Sequence, residues 1–131
     1  MILNHIALVS SSEIKADKFY KDVLGLEKTR KFSVPKNLAK QIFNLNKEYQ
    51  VIVYSHDNLK IEVFIGEEEL RNNLPLRHIG LEIEDREALI AKCQAMNIKA
   101  IKVPKGNSFY LFIKDDDDNL FEIKEKSKLS Q

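Results

Sequence analysis

The sequence predicts an α+β fold: two βαβββ half-repeats forming a curved mixed β-sheet cleft with helices on the outside. Three observations predict it. The stretch Leu76-Arg77-His78-Ile79-Gly80-Leu81-Glu82-Ile83 alternates with the period of a half-buried strand. His78, Gly80 and Glu82 therefore share one face, opposite Ile79, Leu81 and Ile83. Second, Leu3-Asn4-His5-Ile6-Ala7-Leu8-Val9 repeats this pattern 73 residues earlier, with His5 in the place of His78. Third, Asn58-Leu59-Lys60-Ile61-Glu62 matches Asn119-Leu120-Phe121-Glu122, with an offset of 60 at the glutamate. The 13-residue difference has a home in residues 35–48, an insertion carried by the first half only.

Each element follows from its local pattern. After the first strand, Ser10 and Glu13 have the spacing of a capping box. Ala16, Phe19, Tyr20, Val23 and Leu24 recur at helical spacing, which predicts an amphipathic helix over residues 14–24, closed by Gly25. Residues 26–33 read as an exposed strand. Residues 35–48 read as a short helix or ordered excursion entered through Pro35, either a lid or an edge cover. Residues 50–54 and 59–65 form a hairpin around Ser55-His56-Asp57-Asn58. The polar segment 66–75 reads as a linker. The second half repeats the order: a strand through His78, a helix capped by Asp85 with Leu89, Ile90, Cys93 and Met96 on one stripe, and strands over 99–103, 109–113 and 120–125. The whole chain, 1–131, is thus expected to be a single domain made of half-repeats 2–66 and 75–125.

Bulk properties exclude several functions. A net charge of +1 gives no electrostatic case for nucleic acid or an anionic membrane. No apolar run approaches a membrane span. The N-terminus lacks a signal-peptide pattern, and the single Cys93 forms no internal disulfide, so the expected location is cytoplasmic.

Face assignment yields the candidate site. With the β-branched faces under the helices, Glu62 and Glu122 turn toward the cleft, as do His5 and His78. Two imidazoles and two carboxylates suit a divalent transition metal: nickel, zinc, cobalt, manganese or ferrous iron. Such an ion polarises a carbonyl, and Glu62 or Glu122 could then move a proton on the adjacent carbon. Tyr54, Phe64, Tyr110 and Phe112 are expected to line the cleft beside a partly apolar substrate. Arg30 and Lys105 are candidate anion partners. His56 sits in turn sequence and is read as exposed, Cys93 as buried and inert, and Asp115–Asp118 as a solvated turn.

These stretches resemble the vicinal oxygen chelate superfamily, the glyoxalase / bleomycin resistance / dioxygenase group. The resemblance rests on Asn4-His5-Ile6-Ala7-Leu8, Phe19-Tyr20-Lys21-Asp22-Val23-Leu24-Gly25-Leu26, Lys60-Ile61-Glu62-Val63-Phe64, Arg77-His78-Ile79-Gly80-Leu81, and Phe112-Ile113-Lys114-Asp115 through Asn119-Leu120-Phe121-Glu122-Ile123. It implies metal ligands at His5, Glu62, His78 and Glu122. That set looks like the glyoxalase I-like members and implies a metal-dependent lyase or isomerase. The implied reaction is proton transfer through an enediolate on a small α-oxo compound or its thiol adduct, with a low-molecular-weight thiol as a second candidate cofactor. It also implies a homodimer, formed with the halves paired within one chain or across two. The alternatives are a non-catalytic drug- or metabolite-binding protein, and a dioxygenase or fosfomycin-type thiol transferase on the same fold. The family's Asp-Pro-Asp-Gly-Asn turn is here Asp115-Asp116-Asp117-Asp118-Asn119.

Overall fold

A computed structural model describes residues 3–67 and 78–126. Contacts divide the chain into two compact units, Met1–Asn72 and Asn73–Gln131. The first contains β1 (Ile6–Ser10), α1 (Glu13–Ala16, continued by a wider π-helical stretch Asp17–Val23), β2 (Glu27–Val34), α2 (Lys36–Phe43), β3 (Tyr49–His56) and β4 (Leu59–Ile65). The second contains β5 (Ile79–Ile83), α3 (Arg86–Ala95), β6 (Lys99–Lys105), β7 (Ser108–Lys114) and β8 (Leu120–Glu125). The sheets have the same plan: β1-β4-β3-β2 and β5-β8-β7-β6. In each, the first strand runs parallel to the last, and the remaining pairs are antiparallel. The expected half-repeat is therefore present twice, and α2 is the insertion. The expected linker falls, from residue 68 to 75, outside the described residues, as do Leu76 and Arg77.

Burial explains why each sheet needs its helix. In the first unit Ile61 and Val63 of β4 are fully buried, with Ile52 and Tyr54 of β3 beside them in register. Phe19, Tyr20 and Val23 of α1 are buried too, and the Tyr20 ring lies 5.5 Å from that of Tyr54. Each such side chain stabilises the fold by about 1.5–3 kcal/mol relative to exposure. The wide stretch of α1 closes with the Leu24 amide donating to the Phe19 carbonyl, five residues back, at 2.9 Å. Gly25, at φ +75°, ends the helix as expected. In the second unit Leu111, Ile113, Phe121 and Ile123 are buried, with Leu89 and Cys93 of α3. Asp85 caps α3 by accepting from the Ala88 amide at 3.0 Å. Burial pushes the Cys93 thiol up, which keeps it protonated and inert.

Two local expectations need correction. Ser10 is not the first helix cap. It is buried, and its hydroxyl donates to the Ser12 carbonyl, while Ser12 accepts from the Lys15 amide at 3.2 Å. Glu13 does not reach back to a backbone donor but binds Lys28 and Lys31 of β2. The Asp115–Asp118 turn is not simply solvated either. Asp115 and Asp117 are buried, and Asp115 Oδ1 accepts from the amides of Asp117 and Asn119, each at 2.9 Å. An aspartate folding back on its own turn replaces the proline and glycine of the usual motif. Asp118 takes the left-handed conformation at φ 68°.

The Glu13 cluster sets a pH prediction. The Lys28 ammonium, and then that of Lys31, holds the Glu13 carboxyl below its ordinary value of 4.5. Glu13, against partial desolvation, raises Lys28 above 10.5. A lowered acid contributes stability above about 4.5 that is lost as pH falls through its folded value. A raised base contributes stability below about 10.5 that is lost at higher pH. Thermal melts of Glu13→Gln are therefore expected to show a flatter acid limb than the parent; superimposable acid limbs would contradict this.

Candidate metal centre

Each unit builds a row of side chains across its sheet, because cross-strand partners share a face. In the first unit the row reads Arg30, Val53, Glu62, Ala7, from β2 through β3 and β4 to β1. His5 precedes β1 on the same side as Ala7, and its Nδ1 lies 3.5 Å from Glu62 Oε2. In the second unit the row reads Ile101, Phe112, Glu122, Gly80. His78 Nε2 lies 3.6 Å from Glu122 Oε1. The two pairs match in exposure, both histidine side chains being 40% exposed and the glutamates 21% and 20%, but His5 presents Nδ1 to its glutamate and His78 presents Nε2. Sheets with independent surroundings would not produce that match without the repeat.

The row places a small residue beside each carboxylate, Ala7 beside Glu62 and Gly80 beside Glu122. A Cβ added at Gly80 would meet no atom within 4 Å, so the space over Glu122 is open. The sequence shows the small residue in both copies, Ala7 and Gly80 at the 73-residue offset that pairs His5 with His78, but not its place beside the carboxylates.

The donor chemistry fits a divalent ion within each pair. A neutral imidazole nitrogen and an ionised carboxylate oxygen 3.5–3.6 Å apart suit adjacent positions around one ion with bonds of about 2.1 Å. Asn4 Oδ1, an acceptor, lies 2.9 Å from the same His5 Nδ1, so metal binding through that nitrogen requires this contact to be given up. Among the described residues no group of three or more His, Cys, Asp or Glu side chains is gathered at one point.

The other site residues divide. Phe112 packs its ring 5.7 Å from that of His78, edge to face. Tyr110 is 42% exposed on the same side, with Lys105 Nζ 4.7 Å from its ring centre. Phe64 is on the Glu62 face. Arg30 stands in the Glu62 row, 4.7 Å over the Phe32 ring. His56 is exposed, with its Nδ1 3.4 Å from neighbouring Asp57.

Tyr54 does not belong with them. It registers with Ile61, not Glu62, and is fully buried beneath α1. Its hydroxyl donates to Asp17 Oδ1 at 2.7 Å, and burial, then this bond, pushes its pKa far above the ordinary tyrosine range. The two-residue turn at Asp57-Asn58 sets this parity, since it pairs His56 with Leu59 and hence Tyr54 with Ile61. That arithmetic was available in the sequence. Tyr54→Phe is expected to cost about 1–2 kcal/mol in urea unfolding and to leave KM unchanged. Unchanged stability with an altered KM would return Tyr54 to the site.

The second sheet has one further irregularity. β7 and β8 pair only over Phe112–Lys114 and Leu120–Glu122. Beyond this the strands part, and Arg86 fills the break, donating to the Phe109 carbonyl at 2.8 Å and reaching Glu125 at 3.4 Å. A hollow of about 260 Å³ opens there, lined among others by Lys105, Ser108, Tyr110, Glu122 and Lys124. Its lining mixes the cations Arg86, Lys105 and Lys124 with the carboxylates Glu122 and Glu125.

A glyoxalase/bleomycin resistance protein/dioxygenase superfamily model matches residues 4–112. The chain belongs to this superfamily. The match includes His5, Glu62 and His78; Glu122 lies beyond it. Solved structures of the superfamily share the fold. A glyoxalase family protein from Enterococcus faecalis is 21% identical, with TM-score 0.69, over 92% of this chain and 94% of that one. The genomically encoded fosfomycin resistance protein FosX from Listeria monocytogenes is 17% identical, with TM-score 0.72, over 98% and 96%. A mutant of that FosX, 18% identical with TM-score 0.68 over 97% and 93%, was solved with Mn(II) and 1S,2S-dihydroxypropylphosphonic acid. No curated protein sequence matches the chain significantly. Among the described residues, this superfamily member has no helix long and apolar enough to cross a membrane.

Proposed function

We propose that the protein is a divalent-metal-dependent isomerase or lyase of glyoxalase I type, with His5, Glu62, His78 and Glu122 as the metal ligands. The observation that carries this reading is the duplicated His–Glu pair, the same in contact distance and exposure in both half-repeats. The bound ion supplies Lewis acidity toward a carbonyl oxygen of the substrate. The chain's own groups do the rest. Glu122 or Glu62 takes a proton from the carbon beside that carbonyl and returns it to the neighbouring carbon. Ala7 and Gly80 leave room for the substrate over the carboxylates. Phe112 holds the His78 ring in place. Arg30 and Lys105 neutralise an anionic substituent. The substrate is a small α-oxo compound or its adduct with a low-molecular-weight thiol, and the working form is a cytoplasmic homodimer with all of residues 1–131 in one domain.

A second reading has a specific observation behind it. Solved relatives include fosfomycin resistance proteins, one holding manganese and a phosphonate. Lys105, with Lys124, stands in the hollow beside Glu122 as a cation for a phosphonate, whereas Arg86 is already paired with Glu125. One assay separates the two: metal-loaded protein is given methylglyoxal with a thiol, or fosfomycin with and without thiol. The lead reading expects hemithioacetal turnover that stops on chelation. Fosfomycin consumption alone would favour the second, and neither reaction would remove both.

A further inference from the structure

The Glu62 face of the first sheet changes character along its strands. One row beyond Arg30, Val53, Glu62 and Ala7 come Phe32, Val51, Phe64 and Val9. This row is wholly apolar. The positions of the second sheet related to Val51, Phe64 and Val9 by the repeat are Tyr110, Lys124 and Glu82, where Glu82 stands opposite Lys124 in strand register. The halves thus agree at the His–Glu row and diverge one step past it.

The insertion builds on this apolar row. Ala39 of α2 is fully buried with Val34, Tyr49 and Val51, which fastens α2 to the Glu62 face rather than to the side covered by α1. The helix ends at Asn44 in the left-handed conformation, φ 58°. The chain then turns back, with the Leu45 amide donating to the Ala39 carbonyl at 3.3 Å. This brings Phe43 edge-on to Phe64, ring centres 5.7 Å apart. Beside this ring pair an open apolar pocket of about 190 Å³ is lined by Ala7, Leu8, Val9, Phe43, Leu45, Tyr49 and Phe64. An apolar cavity of about 150 Å³ is enough to hold benzene. Ala7 belongs both to this lining and to the Glu62 row. Phe64 follows Glu62 by two strand positions, roughly 7 Å.

We propose that this pocket is the subsite for an aryl or branched-alkyl substituent of the substrate, carried about 7 Å from the oxygen atoms engaged at His5 and Glu62. This rests on the function proposed above, and it names the substrate class: an α-oxo compound with a bulky apolar tail rather than a one-carbon tail. The inserted α2, through Phe43, sets the size limit.

The test is an amide NMR titration of metal-loaded and metal-free protein with phenylpyruvate and with pyruvate, alongside metal analysis of each sample. Parent protein is expected to bind phenylpyruvate at least about tenfold tighter than pyruvate, with shifts at Val9, Phe43, Leu45 and Phe64. Phe64→Lys, which installs the residue of the second half, is expected to erase the preference while metal content stays the same. Phe43→Ala, on the exposed end of α2, is expected to weaken it without risk to the sheet. Equal affinities in the parent, absence of binding, or a preference kept in both variants overturns the subsite. Shifts at these residues that depend on protein concentration without ligand show a second copy in the pocket, and also overturn it. A preference found in parent protein that takes up no metal when loaded, and lost in Phe64→Lys, upholds the subsite and sinks the metal-dependent function instead.

Discussion

Glu122→Gln is expected to lower turnover by about 10²–10⁴-fold with the melting temperature unchanged. The substitution keeps the side chain's size and one oxygen, so packing is preserved. It removes the charge and the proton-accepting capacity. Glu122 is only partly buried and faces away from the Phe121–Ile123 core side of β8, so folding does not depend on it. His78, at 3.6 Å, loses its anionic partner. Steady-state kinetics with metal in excess would check the prediction, since excess metal removes weakened metal binding as the cause. Parental turnover in that variant would show that Glu122 moves no proton. Glu62→Gln, compared in the same assay, identifies which half carries the larger share of the proton transfer.

Phe121→Ala, one residue away, is expected to do the reverse. Phe121 is fully buried and registers between Ile79 of β5 and Ile113 of β7. Losing a ring there leaves a cavity that the two flanking strands cannot close, at a cost of about 3–5 kcal/mol. Urea unfolding measures it directly. Metal content per folded molecule is expected to stay at the parental level. A loss below about 1 kcal/mol would mean that the second sheet is not packed as described. Together the two substitutions exploit the period of the strand: neighbouring residues serve opposite faces, one the core and one the site.

That period is also why so much of the protein is legible in its sequence. The strands Leu59–Ile65 and Leu120–Glu125 have the bounds expected from alternation, and Asp85 caps α3 as expected. Glu62 and Glu122 each face their histidine because Ile61 and Val63, or Phe121 and Ile123, claim the other face. The failures have physical causes of their own. Tyr54 lies on the face opposite to the expected one because β3 is buried on both sides, with Val51, Ile52, Val53 and Tyr54 all inside, so apolar alternation carries no parity there. Only the turn length sets it. Ser10, Ser11 and Ser12 offer three hydroxyls at adjacent positions, and the choice of Ser12 as cap depends on burial of Ser10, which is a tertiary fact. The Asp115 turn closes on itself through side-chain acceptors that composition cannot distinguish from a solvated acidic run. The face taken by α2 depends on Ala39 meeting Val34, Tyr49 and Val51, contacts between segments that sequence spacing leaves open.

The central claim is that the duplicated His–Glu pairs hold a metal ion, and metal analysis tests it most directly. Protein stripped with chelator, reloaded with Ni, Zn, Co, Mn or Fe(II) and dialysed is expected to retain about one ion per site. His5→Ala, Glu62→Ala, His78→Ala and Glu122→Ala are each expected to lower that content while the circular dichroism spectrum is kept. Metal at background level in the parent protein, or content indifferent to all four substitutions, would contradict the account.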